Sequence, residues 1–218
     1  MSYSIAIDGP AGAGKSTIAK KVAGEKGFIY VDTGAMYRAM ALYLMREGVK
    51  REQTELISEV CKGAKITIEY RDGEQVVLLD GENVNGLIRT EEIGNMASVS
   101  SAVPAVREKL LELQQDLAKE NNVVMDGRDI GTKVLPDADV KVYLTASTQC
   151  RAKRRFDELT AKGVQCDLQQ IEQDIKERDH LDMTRDTSPL RQAEDAVFID
   201  SSDMGIDEVA KAILDLCI

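Results

Sequence analysis

Residues 9–16, Gly9-Pro10-Ala11-Gly12-Ala13-Gly14-Lys15-Ser16, leave this chain few ways to fold. They fit the pattern G-x-x-x-x-G-K-S/T. Residues 3–8 before them read as a short buried strand. Residues 15–26 after them place Ile18, Val22 and Ala23 on one face of a helix. Glycines let the backbone wrap closely, so that several N–H groups point inward, and the helix N-terminus adds the positive end of its dipole. Such a loop cradles phosphates, with Lys15 placed to bridge the β- and γ-phosphates and Ser16 to ligate Mg²⁺.

Composition narrows the remainder. The 218 residues form one large domain or a core with insertions, and 43% hydrophobic with 30% charged residues is enough for a real core. A net charge of −10 disfavours non-specific nucleic-acid binding but leaves room for a local basic pocket. Cys61, Cys150, Cys166 and Cys217 form no CxxC, and His180 has no histidine partner. No disulfide framework, zinc site or histidine metal cluster is expected, and a reducing cytoplasm is the expected setting. No run approaches the roughly 20 apolar residues of a membrane span, and the first residues lack signal-peptide character.

Strands and helices alternate along the chain. Further strands are predicted at 28–31, 123–125, 140–144 and 197–199, and further helices at 34–47 and from about 206 to 216. This order predicts an α/β fold, a parallel sheet covered by helices on both faces. Residues 62–88 depart from it. The runs 65–70 and 75–79 flank the turn Arg71-Asp72-Gly73-Glu74, which predicts an antiparallel hairpin in an inserted subdomain. Residues 147–188 read as a charged helical flap with few large apolar residues.

A phosphate loop alone does not separate a kinase, a guanine-nucleotide switch and a motor or binding ATPase. No Asn-Lys-x-Asp element is present, which disfavours the switch. A phosphoryl-transfer enzyme needs a second anion site, and three arginine-bearing segments are candidates. Arg38 is expected on the first turn of its helix, a poor place for a cation unless it faces an anion; the alternative is a solvated arginine. Asp126-Gly127-Arg128-Asp129 ends a buried strand at the edge where open α/β sheets bind ligands, with Asp126 able to reach Mg²⁺ through water; the alternative is an ordinary polar turn. Arg178 and Arg185, seven apart, would share a helix face with Asp182 between them, as ligand-binding groups or as mere ion pairs. Arg151, Lys153, Arg154 and Arg155 form a basic cluster that equally reads as a solvated helix face.

Taken together, residues 5–16, 32–38, 88–90, 126–132 and 176–179 resemble the bacterial cytidylate kinases, nucleoside monophosphate kinases of the P-loop class. The Asp-Gly-Arg-Asp turn combined with the hairpin insert carries the resemblance more specifically than the loop does. The resemblance implies ATP bound by Gly9, Pro10, Ala11, Gly12, Ala13, Gly14, Lys15, Ser16 and Thr17, with Arg154, Arg155 and Arg178 reaching its phosphates. It implies Mg²⁺ at Ser16, with Asp126 reaching it through water. Catalytic roles fall to Lys15, Arg128 and Arg185. The acceptor, CMP or dCMP, would be met by Thr33, Tyr37, Arg38, Ser98, Arg107, Arg128, Asp129, Asp182 and Arg185. Within this set, Asp182 matches the ribose position, and Ser98, Arg107 and Asp129 the cytosine edge. The expected organisation is a core of about 1–34, 101–150 and 189–218, an acceptor-binding part of about 35–100 and a lid of about 151–188. A cytoplasmic monomer of pyrimidine nucleotide metabolism, with no nucleic-acid or membrane partner, is the implied setting. One departure is His180-Leu181 in a usually more polar lid segment, which leaves Asp182 and Arg185 in register.

The residues agree with that expectation. Arg107 lies one position off the stripe Val106, Leu110, Leu113, Leu117 and so borders the core. Asp129, as an acceptor, would favour the amino group of cytosine over the carbonyl of uracil. A kinase for another small acceptor, such as UMP or a sugar acid, and an ATP-dependent switch module are the competing readings.

Overall fold

Ser4–Asp8, strand β1, is buried along its whole length, and so is Val123–Gly127, strand β6. Strands without an exposed face belong in the middle of an α/β sheet, between helical layers. The computed structural model describes residues 2–217, and its elements confirm that architecture. In order they are β1, α1 (Lys15–Lys26), β2 (Ile29–Asp32), α2 (Thr33–Arg46), α3 (Thr54–Val60), β3 (Ile66–Arg71), β4 (Glu74–Leu79), β5 (Glu82–Asn83), α4 (Glu91–Ser100), α5 (Pro104–Glu120), β6, β7 (Val140–Thr145), α6 (Thr148–Ala161), α7 (Leu168–Thr184), β8 (Val197–Asp200) and α8 (Ile206–Leu214). A 3₁₀ turn spans Cys61–Gly63 and a π-type turn Ile130–Val134.

The five-stranded sheet has the order β2-β6-β1-β7-β8. β1 and β7 are parallel, with Ile5 opposite Val140, and β7 and β8 are parallel, with Val142 opposite Val197. β1 is central in this order, so the loop that follows it opens where doubly wound sheets bind their ligands. A separate antiparallel sheet, β3-β4-β5, is the predicted insert.

The chain divides into two compact units. One holds the residues up to Tyr3 with Ile29–Val123, and the other holds Ser4–Phe28 with everything from Val124 onward. In the first, Met36, Met40, Leu44, Ile57, Leu79, Ile88, Met96 and Leu110 are fully buried. The inserted hairpin is anchored there by polar contacts as well. The Gln75 side chain accepts from Asp32 N at 2.8 Å and donates to Asp32 O at 3.2 Å, and Tyr70 Oη donates to Tyr30 O at 3.0 Å. In the second unit the core is Ile5, Ile7, Ile18, Val22, Met125, Ile130, Leu144 and Ile213.

Several expectations shift. Helix α2 starts at Thr33, capped by the Asp32 carboxylate accepting from Ala35 N, so Arg38 is not on its first turn. The stripe buried by α5 is Val106, Arg107, Leu110, Gln114 and Ala118; Arg107 lies inside it rather than at its border, and Leu113 and Leu117 are only half-buried. The flap is two helices, and α7 ends at Thr184, so Arg185 is extended chain beyond the helix and shares no helical face with Arg178. The last helix stops at Leu214. Of α6 and α7 only Arg151, Ala152 and Asp182 are buried, while Phe156, Leu159, Ile171 and Ile175 are half-buried, so buried polar contacts hold the flap alongside a partly exposed apolar layer.

Candidate active site

The glycine loop begins with a residue that tolerates no side chain. Gly9 has φ +155, and a Cβ there would run into the Leu144 carbonyl oxygen of β7. The Gly9→Ala variant is expected to lose more than about 4 kcal/mol of stability, read by urea unfolding, because backbone cannot yield as a flexible side chain would. A loss under 1 kcal/mol, on the scale of ordinary surface changes, would contradict this geometry.

Directly before it, the Asp8 carboxylate accepts backbone N–H bonds from Ile130 and Gly131, both at 2.7 Å. One buried acid thus joins the base of the phosphate loop to the turn that follows Arg128 and Asp129. Burial pushes Asp8 up to about 6 from 3.8, against the pull of those two N–H groups. The folded state therefore holds more protons than the unfolded state between these values. The wild type's advantage over the uncharged Asp8→Asn is expected to be largest below pH 4. It should shrink by about 3 kcal/mol as pH rises through 6, and then stay level. Urea unfolding of both proteins from pH 4 to 8 checks this; a gap that widens with pH would contradict it.

Lys15 is the first residue of α1 and is buried, with Nζ donating to Pro10 O at 2.8 Å. Burial and then the charge of Arg128 pull it down to about 7, while Asp126 and Asp8 act in the opposite sense. Ser16 Oγ donates to Asp126 Oδ2 at 3.1 Å. A hydroxyl and a carboxylate suit a hard cation that completes its shell with water and phosphate oxygens, as Mg²⁺ does. Among the described residues, no three His, Cys, Asp or Glu side chains assemble as a protein-only metal cage.

After β6, Arg128 Nε donates to Asp182 Oδ2 of α7 at 2.8 Å. Arg185 Nη1 stands 3.7 Å from Asp182 Oδ1, and Arg185 Nε donates to Ser188 O at 2.9 Å. Burial alone would raise the Asp182 carboxyl, but the Arg128, Arg178 and Arg185 guanidiniums outweigh it and hold the group below its usual value. Arg178 Nε is buried without a hydrogen bond to the protein, and burial together with the Arg128 charge holds that guanidinium below its usual value. In a chain of net charge −10, Lys15, Arg128, Arg178 and Arg185 gathered around Asp182 and Asp126 make a locally cationic, partly desolvated site. Such a site favours a polyanion.

The remaining arginines of α6 are placed differently. Arg154 donates to Ser201 O at 2.7 Å and Ser201 Oγ at 3.4 Å, beyond β8. Arg155 pairs with Glu158 at 2.9 Å on an exposed face. Arg151, for which a solvated helix face is one of the two readings of the basic cluster, is only 4% exposed.

The first unit gathers its own set. Arg38 Nη1 donates to Ile88 O at 3.4 Å, and a Cβ on Gly94 would come within 3.0 Å of that nitrogen, so the missing side chain lets Arg38 pass. The Arg107 guanidinium lies over the Tyr37 ring, 5.2 Å from its centroid, and Nη1 donates to Ser101 O at 3.1 Å. Ser101 Oγ in turn donates to Ser98 O at 2.9 Å. Thr33 is buried in the first turn of α2. Tyr37, Ser98 and Arg107 are therefore linked neighbours although they are spread over 70 positions. Asp8 and Arg151 brace the glycine loop from outside the motif, and the sequence alone marks neither for that role. Nothing local marks an acid at a strand end, or one arginine of a basic cluster, as a structural link.

A strand–glycine loop–helix unit with a buried lysine, a hydroxyl–acid pair and a ring of guanidiniums defines a P-loop kinase. The family model described as cytidylate kinase matches residues 5–217, and the chain belongs to that family. It is 53% identical over 212 residues to the cytidylate kinase of Caldicellulosiruptor saccharolyticus, covering 97% of this chain and 94% of that one. The cytidylate kinase of Listeria welshimeri is 50% identical over 213 residues, with coverage of 97% and 94%. A solved structure of an uncharacterized protein from Eubacterium ventriosum aligns with a TM-score of 0.52 at 15% identity, over 99% of this chain and 97% of that one. That likeness concerns the fold alone.

Proposed function

We propose that this protein transfers the γ-phosphoryl group of ATP to CMP or dCMP, giving ADP and CDP or dCDP. The observation that carries the reading is Lys15, buried in the glycine loop and facing the Arg128–Asp182–Arg185 cluster. One anion on the loop and a second at the guanidiniums is the charge pattern that phosphoryl transfer requires. The assignment of about 35–100 to acceptor binding and about 151–188 to a lid belongs to the same proposal.

The acceptor phosphate has its second pKa near 6 and is mostly a dianion at neutral pH. Its oxygen attacks the γ-phosphorus in line, the bond to the β-bridging oxygen breaks, and ADP leaves with that electron pair. No general base is required. The obstacle is repulsion between two polyanions. Lys15 leaves the Pro10 carbonyl for the β- and γ-phosphates, and Arg128 and Arg185 hold the acceptor phosphate and the charge of the transferring group. Arg38 grips the acceptor phosphate, and Asp182 holds the ribose. Ser16 and, through water, Asp126 would hold Mg²⁺, which would supply neutralisation of the phosphate charge. Closure of the flap excludes water, which would otherwise hydrolyse ATP.

Base choice falls to Ser98, Arg107 and Asp129. Asp129 is 3% exposed, and a carboxylate buried to that degree accepts from the cytosine amino group but repels the O4 of uracil. ADP release measured against a panel of acceptors tests the function. Turnover dependent on CMP or dCMP supports it; preference for another acceptor, or slow turnover independent of any acceptor, overturns it. Asp129→Ala is expected to narrow the CMP/UMP ratio of kcat/KM by about tenfold, the scale of one buried hydrogen bond. An unchanged ratio would remove Asp129 as the base reader.

A further inference from the structure

Arg151 is a buried cation with all five donors used. Nε donates to Ala146 O at 2.9 Å, just past β7. Nη1 donates to Ala11 O of the phosphate loop at 2.9 Å and to Asp179 Oδ1 at 3.1 Å. Nη2 donates to Asp179 Oδ2 at 2.6 Å and to Thr148 Oγ1 at 3.3 Å. The aliphatic stem lies over Gly12, where a Cβ would stand 3.5 Å from Arg151 Cβ and 4.0 Å from Cδ. One side chain therefore touches the glycine loop on its backbone, the end of β7, its own helix α6 and, through a two-pronged ion pair, helix α7.

Asp179 follows Arg178 directly and precedes Asp182 by three residues, nearly one helical turn. Fixing Asp179 thus fixes the height and rotation at which Asp182 meets Arg128. No large apolar side chain of α6 or α7 is fully buried, Phe156, Leu159, Ile171 and Ile175 being half-buried, so the Arg151–Asp179 pair is the buried polar contact that sets that height together with them. We infer that Arg151 is a positioning residue that ties α7, with Arg178 and Asp182, to the phosphate loop, so that nucleotide in the loop is felt along α7. The inference deepens the kinase reading and rests on it for its consequence in catalysis. The tie itself is independent of which acceptor is used.

A lysine has no fork, so Arg151→Lys keeps a buried cation near Asp179 but cannot also hold Ala11 O and Ala146 O. Asp179→Asn keeps the shape of the partner and removes its charge. Hydrogen exchange along residues 168–184, with and without Mg·ADP, is the test, because it contains no acceptor. In the wild type, filling the loop is expected to slow exchange there by about tenfold, within the usual range of coupling between sites. In Arg151→Lys and in Asp179→Asn the slowing is expected to fall below about twofold, although ADP binds within about threefold of wild type, since Lys15 and the loop N–H groups remain. Should Arg151→Lys fail to fold, Asp179→Asn carries the same comparison.

Equal slowing in wild type and variant, or none in wild type, overturns the inference, whereas the kinase reading fails separately in the acceptor panel. A merely structural ion pair would change thermal stability and leave the nucleotide-dependent slowing intact.

Discussion

Lys15→Ala is expected to lower kcat by about three orders of magnitude, the scale of removing a preorganised charge from a water-poor phosphoryl-transfer site. The physical reason lies in the burial. Solvent does not screen the Lys15 ammonium, and its interaction with phosphate oxygens is far stronger than at a surface. Lys15 sits on the glycine loop itself, whereas Arg128 and Arg185 are positioned by Asp182 of α7, so neither stands where the Lys15 ammonium does. The same burial separates this effect from unfolding. Desolvation and the Arg128 charge disfavour the charged lysine in the ligand-free protein, so its removal relieves a cost and leaves the fold at least as stable at neutral pH. Steady-state turnover with saturating ATP and CMP, beside a thermal melt, checks both parts. Near-normal turnover would remove Lys15 from the chemistry, and a collapsed melt would assign the loss to the fold.

The Arg128→Ala variant should fail in two ways at once. Asp182 has a side chain only 6% exposed, and Arg128 makes its shorter ion pair, 2.8 Å against 3.7 Å for Arg185. Removing Arg128 leaves a buried carboxylate under-compensated, at a cost of about 3–5 kcal/mol. It also removes a guanidinium from the proposed acceptor phosphate, which should lower kcat/KM for CMP by at least about a hundredfold. The double variant Arg128→Ala/Asp182→Asn separates the two losses. With no charge left to compensate, stability is expected to recover most of the way, while activity stays low. Recovery of both would make Arg128 a partner of Asp182 and nothing more; recovery of neither would place the damage in packing.

What could be read from the residues in order follows from how local each feature is. The phosphate loop is contiguous, and its glycines and the helix behind it determine its shape whatever surrounds it. The hairpin 65–79 was legible for the same reason, with alternation on either side of an Asp-Gly turn and β4 buried from Gln75 to Leu79 as the inward strand. Helix ends were less legible. The spacing of Arg178 and Arg185 predicts one helix through both, yet α7 stops at Thr184, with Arg185 extended and bonded to Ser188 O. That bond joins residues outside any periodic pattern. On α5, the leucine stripe pointed to Leu113 and Leu117, whereas packing buries Gln114 and Arg107. Arg107 is accepted because the Tyr37 ring and the Ser101 carbonyl meet its charge, and those partners come from elsewhere in the chain.

The amino-acid order by itself therefore determined the α/β class, the phosphate cradle, the inserted hairpin and the membership that its motifs announce. Each is written in torsional preference and hydrophobic period over a few consecutive residues. Tertiary structure alone decided which charges are partners. Arg128 finds Asp182 across 54 positions, Asp8 finds the amides of Ile130 and Gly131 across more than 120, and Arg151 leaves a basic cluster to bridge Ala11 and Asp179. Long charged side chains look alike in sequence. Only the folded chain settles which of them lose their water, and that loss turns a charge from solvent-facing decoration into part of a site.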